Sequence, residues 1–182
     1  DQINDDQMTQ TRPLEGMRVI DLTDHRGDIG PWILGELGAD VIKVEPPGGC
    51  STRGSDPIRK DDASDLRSLH FSSYSSNKRS IVLNLENPED RETFLKLLET
   101  ADFLYESGMP SFLSEVGIDR TQITSANNQL IHVVVTPFGA DGPRANNPHS
   151  ELSLASLGGS PNLQGTPDRP PVKASIPQVW RH

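Results

Sequence analysis

The sequence predicts an α/β fold built on an open, mostly parallel sheet. Three observations carry that reading. Apolar, β-branched runs of strand length fall at residues 17–22, 40–45, 80–85 and 130–136, stretches with helical spacing separate them, and the connections are too long for hairpins. Alternation of strands and helices along a chain produces a layered sheet of parallel strands with helices packed on it.

The elements follow in order. Residues 17–22 form a first strand, a glycine-bearing turn follows, and residues 31–37 make a short helix that Pro31 starts and Gly38 stops. A second strand, 40–45, ends against Pro46 and Pro47, completing a βαβ unit. Residues 46–76 are rich in Gly, Pro, Ser and Asp and read as an extended loop. Residues 80–85 alternate and read as a strand. Asn87, Pro88, Glu89 and Asp90 are a cap, a first-turn proline and two acids suited to a helix start. That helix runs to about Thr100, with Phe94, Leu97, Leu98 and Ala101 on one face. Then come a short strand at 102–105, two short helices near 111–116 and 120–127, and a strand at 130–136 whose continuous apolar character fits burial on both faces. A further helix covers 150–157. The whole is Rossmann-like, and ligands of such sheets sit beyond the carboxyl ends of the strands.

Three regions are expected: a disordered polar tail at 1–12, a Rossmann-like domain at 13–157, and a loop or linker at 158–182 leading to a further half. The first residue is Asp and the last apolar segment stops abruptly, so the sequence reads as part of a longer protein.

A formal charge of −9 argues against non-specific binding to nucleic acid or to a membrane surface. No apolar run approaches membrane-spanning length and no signal-peptide pattern opens the chain, so a cytoplasmic location is the expectation. Cys50 has no second cysteine to pair with, and in its Gly-Gly-Cys loop it reads as a bystander rather than a reactive thiol. The five histidines show no metal-ligand spacing, so no metal is expected. His132, within a strand, reads as a hydrogen-bonded structural residue, and His25 as a loop side chain. Gly27 and Gly30 imitate a dinucleotide fingerprint only faintly, because Pro31 follows where a third glycine would be needed. Residues 51–80 hold Arg53, Arg59, Lys60, Arg67, Lys78 and Arg79 against Asp56, Asp61, Asp62 and Asp65, a net +2 in an acidic chain. Ordinary solvated loop charges would give the same count.

Several ordered blocks resemble the family III CoA-transferases (the CaiB/BaiF family). They are Pro13-Leu14-Glu15-Gly16, then residues 37–49 reading LGADVIKVEPPGG with Arg53 after them, then Asn77-Lys78-Arg79-Ser80, then Ala101-Asp102. The pairs Phe138-Gly139 and Gly142-Pro143 and a helix ending in Gly158-Gly159 complete the set. The resemblance spans residues 13–175 and implies an N-terminal half. It implies coenzyme A, carried as an acyl-CoA, with a free carboxylic acid as the second substrate and an interlocked homodimer at full length. Arg53, Lys78 and Arg79 would then hold CoA phosphates, with Asn77 and Gly30 completing the cofactor-binding set.

In that family a carboxylate attacks the acyl-CoA thioester and passes through a mixed anhydride to an enzyme–CoA thioester. The corresponding residue here is Glu151, where Asp is usual. Three readings stay open: a nucleophile in a site shaped for it, lost transferase chemistry, or a first-turn acid behind a Ser150 or His149 cap. Racemases of the family move an α-proton of an acyl-CoA, and His149 with Glu151 would be the pair for that alternative. A non-catalytic CoA-binding fragment is the third function. Two departures bear on CoA: Met109 stands where the family has an arginine, and Asp28 stands in the first turn, a poor neighbour for phosphate.

Overall fold

The computed structural model describes residues 11–60, 67–108, 112–164, 166–170, 172 and 179–181. Five strands form one sheet in the order β3-β2-β1-β4-β5. They are β1 (Arg18–Leu22), β2 (Asp40–Glu45), β3 (Lys78–Val82), β4 (Phe103–Ser107) and β5 (Ile131–Val135). Every neighbouring pair is parallel, which makes the expected mostly parallel sheet wholly so among the described residues. The chain builds outward from β1 to β3, returns, and continues from β4 to β5. The strand order therefore reverses between β1 and β4, the place where open sheets of this kind leave a crevice.

Helix α1 (Ile29–Glu36) crosses from β1 to β2, and α2 (Leu69–Ser75) precedes β3. Helices α3 (Pro88–Leu98), α4 (Phe112–Glu115) and α5 (Arg120–Ala126) occupy the later crossovers, and α6 (Glu151–Leu157) follows β5. Asn87 caps α3 by accepting from the Glu89 amide, with Pro88 in the first turn, as the local sequence predicts.

Register and alternation divide the strand residues between two faces. Ile20, Ile42, Val44 and Leu104 point to one face, where Phe94, Leu98, Ile118 and Ile123 from the α3–α5 layer close a continuous core. Val19 and Val41 point to the other, packed with Leu34 of α1, Phe103 and Tyr105. Further along this second face the strand residues change character to Asp21, Lys43 and Glu45, all three buried.

Four expectations differ from the observed structure. The segment 46–76 is not loop throughout: it holds a 3₁₀ turn, Ser51–Gly54, and the helix α2. Ser68 caps α2 by accepting from the Phe71 amide, and Phe71 is buried, but the serines around it dilute the apolar signal. β3 begins at Lys78 rather than Ser80, because both cations at its start have carboxylate partners within the sheet, Asp21 on β1 and Asp40 on β2. β5 is not buried on both faces. It is the last strand in the order, and Ile131 is 53% exposed. The expected loop at 158–182 is not loop alone among the described residues, since 3₁₀ turns span Ser160–Leu163 and Val179–Arg181 and both pack on α6. Of the expected tail at 1–12, residues 1–10 lie outside the described residues, as does Met109.

No helix among the described residues is long and apolar enough to cross a membrane. Apolar surface is nonetheless exposed beyond the sheet: α6 has no buried residue, and Leu157 and Leu163 face solvent.

Phe94 is the side chain on which the α3 layer closes, with no exposed surface. Phe94→Ala should cost about 3–5 kcal/mol of unfolding free energy, read as a lower urea midpoint with an unchanged slope.

Candidate functional site

A cavity of about 360 Å³ opens at the carboxyl ends of β1, β2 and β3. Leu22, Val44, Leu85, Phe112 and Val116 give it an apolar floor and wall, and Thr23, Cys50, Ser51 and Asn84 add uncharged polar groups. Among the described residues its charged lining is acidic: Asp24, Glu45 and Glu86. Size, placement and mixed lining are those of a small-molecule site.

Two arginines border it, and each is forked onto one of those acids. Arg53 donates from Nε to Glu45 at 2.6 Å and from a terminal nitrogen at 2.7 Å, with its guanidinium carbon 4.1 Å from the Phe71 ring centre. Arg26 grips Asp24 in the same way, at 2.9–3.0 Å from Nε and 2.6 Å from a terminal nitrogen. Burial opposes ionisation of Glu45, but Arg53, the Ser80 hydroxyl and the Cys50 amide outweigh it and bring its pKa from 4.5 down to about 2. At neutral pH this wall of the cavity is therefore a fixed carboxylate carrying its own counter-ion.

Beneath the cavity lies a buried ionic cluster. Asp21 accepts from Lys78 Nζ at 2.8 Å and from Lys43 Nζ at 3.4 Å, and also from the Thr23 hydroxyl and amide. Burial raises the Asp21 pKa, and the two ammonium groups more than reverse that, leaving it below the ordinary range. Lys78 is pulled down, chiefly by burial. Beside this cluster Asp28 pairs with His70, while its second oxygen, Oδ1, is buried with no hydrogen-bond partner among the described residues.

The five expected CoA residues are thus placed in five different surroundings. Arg53 alone borders the cavity. Lys78 is a strut of the buried cluster, its side chain 1% exposed. Arg79 points to the opposite face, near the amino ends of the strands, and forks onto Asp40 beside Arg18. Asn77 donates to the Trp32 carbonyl and to Glu36, tying the start of β3 to α1. Gly30 meets β4 directly: a Cβ there would sit 2.8 Å from a Tyr105 ring carbon.

Glu151 opens α6, with Ser150 as its cap in a reciprocal capping box with Ser153. One Glu151 oxygen accepts the Val179 amide at 3.3 Å. His149 packs edge-on against Trp180, ring centres 5.8 Å apart. The 3₁₀ turn Val179–Arg181 thereby brings Trp180 beside these residues, a juxtaposition no spacing in the sequence announces. His132 lies 3.1 Å from Glu106, which matches its structural reading, and His25 is exposed beside Asp24.

Sequence reasoning missed Asp21, Lys43 and the residues 83–86 that line the cavity. A usable signal existed for the first two: a lysine between Ile42 and Val44 in a buried run requires an anion nearby, and Asp21 lies at the matching register on β1.

A sequence model of CoA-transferase family III matches residues 14–181. The chain belongs to this family. It is 37% identical over 163 residues to an acetyl-CoA:oxalate CoA-transferase of Acetobacter aceti, covering 88% of this chain and 41% of that one. It is 36% identical to the succinyl-CoA:(R)-benzylsuccinate CoA-transferase subunit BbsE of Thauera aromatica, over 90% of this chain and 40% of that one. Among solved structures, a CAIB/BAIF family protein from Brucella suis superposes with a TM-score of 0.76 at 34% identity, over 92% of this chain and 44% of the other. The orthorhombic form of Rv3272 from Mycobacterium tuberculosis gives 0.79 at 28% identity, over 93% and 47%. The chain therefore spans about two fifths of the length of these curated relatives.

Two outcomes test the assignments of charge. Lys78→Met should lower stability by about 3 kcal/mol, the low end for a broken buried pair because Lys43 remains beside Asp21. A variant that unfolds like the wild type but loses ligand affinity would instead place Lys78 at the ligand. Glu45, with its depressed pKa, contributes stability above pH 4.5 and loses that contribution as pH falls towards about 2. Acid unfolding of Glu45→Gln should therefore be shallower across that window.

Proposed function

We propose that the protein containing this chain moves CoA between an acyl-CoA and a free carboxylic acid, working as a homodimer. The observation that carries this is the family match along nearly the whole chain, joined to a ligand-sized cavity at the carboxyl ends of an all-parallel sheet. The relatives named above are CoA-transferases. The activity belongs to the full-length protein, of which this chain supplies the sheet and the cavity.

The chemistry requires a carboxylate, because only an acyl anhydride is activated enough to exchange its acyl group with a thiolate and with an acid in turn. A carboxylate oxygen attacks the thioester carbon and the CoA thiolate leaves, giving a mixed anhydride. The thiolate then attacks the enzyme's own carbonyl of that anhydride and releases the first acid. The acceptor carboxylate repeats the sequence in reverse and departs as its CoA thioester.

On this chain the candidate is Glu151. It stands at the first residue of α6, and the Val179 amide orients one oxygen. The proton-exchange alternative draws less support, since His149 packs on Trp180 rather than pairing with Glu151.

The test uses the full-length protein. Acyl-CoA followed by hydroxylamine should inactivate it and leave a hydroxamate at Glu151, and Glu151→Gln should lower kcat about a hundredfold or more. A hydroxamate on another carboxylate would move the nucleophile there and leave Glu151 a positioning role. No adduct and no exchange of label between CoA and free acid would end the transferase reading.

A further inference from the structure

Arg26 spends part of its donor set inside the fold and leaves the rest unused. A guanidinium carries its N–H groups in a rigid planar fork. The edge made by Nε and Nη2 is taken by Asp24. The other edge, Nη1 with the second hydrogen of Nη2, meets no acceptor among the described residues. Nη1 is not sealed from solvent, although the side chain as a whole is only 22% exposed.

That edge is held in place from several sides. Asp24 also accepts from the Arg26 amide and the Ser107 hydroxyl, and its own amide donates to Ser107. Gly27 lies against Ser107 and Val135, where a Cβ would stand 3.3 Å from each side chain. Gly108, at φ +133°, leaves room for the guanidinium, since a Cβ there would stand 3.2 Å from Nη2. The turn after β1 is thereby laid across the ends of β4 and β5, and Arg26 sits where the strand order reverses. Its partner Asp24 lines the cavity.

Two parallel N–H groups fixed in one plane match the paired oxygens of a carboxylate or a phosphate. We infer that Arg26 is a substrate-binding residue of this site, taking an anionic oxygen pair of a substrate on its Nη1–Nη2 edge, in the role the sequence gives to Lys78 and Arg79. Lys78 is engaged by Asp21 inside the sheet, and Arg79 projects from the opposite face. Asp24 keeps its own edge of Arg26 when the ligand arrives, so no internal partner is displaced and little ordering remains to be done on binding. The inference rests on the transferase reading above and concerns which side chain grips the substrates. A carboxylate of the acid and a phosphate of the carrier present the same chemistry to this edge, and the experiment separates them.

KM for the acyl-CoA and for the free acid is measured by label exchange in the full-length protein, for wild type, Arg26→Gln and Arg26→Lys. Arg26→Gln should raise at least one of the two about tenfold to a hundredfold, the worth of a charge-assisted pair, with kcat within about threefold. Arg26→Lys keeps a cation beside Asp24 but has no second planar edge, so it should restore the urea midpoint and only part of the KM. A rise in the acid's KM, or one that persists when acyl-pantetheine replaces acyl-CoA, names a carboxylate. A rise lost with acyl-pantetheine, which carries no phosphate, names a phosphate. Both KM values within about threefold of wild type, with any loss confined to kcat and the urea midpoint, overturn the inference and leave the transferase reading intact. If Arg26→Gln does not fold, Arg26→Lys decides alone: a KM raised about threefold or more supports the inference, and an unchanged one overturns it. No exchange in the wild type overturns both readings.

Discussion

The arrangement depends on the ion cluster at the centre of the sheet, where Asp21 of β1 meets Lys43 of β2 and Lys78 of β3. Three adjacent strands each contribute one charged side chain to the same buried spot. Removing Asp21 leaves two buried ammonium groups without their shared anion, and removing either lysine leaves Asp21 with one cation instead of two, so the cluster holds the three strands in one register. The apolar layer on the opposite face has no such directional demand; it needs only volume and shape. One face thus supplies most of the burial while the other supplies specificity of alignment.

That division explains how the carboxyl edge can be both open and ordered. A cavity needs walls that do not collapse, and here forked arginine–carboxylate pairs hold part of the wall beside the apolar side chains of Leu22, Val44, Leu85 and Val116. Glu45 is the hinge between the two systems: it ends β2, accepts from Ser80 on the next strand, and anchors Arg53 at the cavity border. Charge on the cavity wall is therefore largely paired within the fold, Asp24 with Arg26 and Glu45 with Arg53. Of the cations that the family resemblance assigns to CoA, only Arg53 lies at the cavity.

Most of the fold was legible in the sequence because its signals were local. The apolar runs at β1, β2 and β5, the Asn87-Pro88 start of α3 and the glycines after the helices each report their own element. The failures share a cause as well. α2 was hidden because Phe71 alone supplies its buried contact amid serines, and the true start of β3 was hidden because Lys78 and Arg79 look solvated until their partners on other strands are known. The candidate site suffered most from this. A basic cluster in sequence, 51–80, is scattered by the fold over two faces and both ends of the sheet. Glu151 was placed at the head of its helix correctly, but its contact with the Val179 amide spans 28 positions and has no local trace.

The close approach of Gly30 to Tyr105 has a consequence beyond packing. An α1 residue and a β4 residue here share a single volume, and neither can grow unless the other shrinks. Relatives that carry alanine or serine at the first position should carry a smaller ring or an aliphatic at the second. The two sites would then drift through evolution as a coupled pair, though more than seventy residues separate them along the backbone.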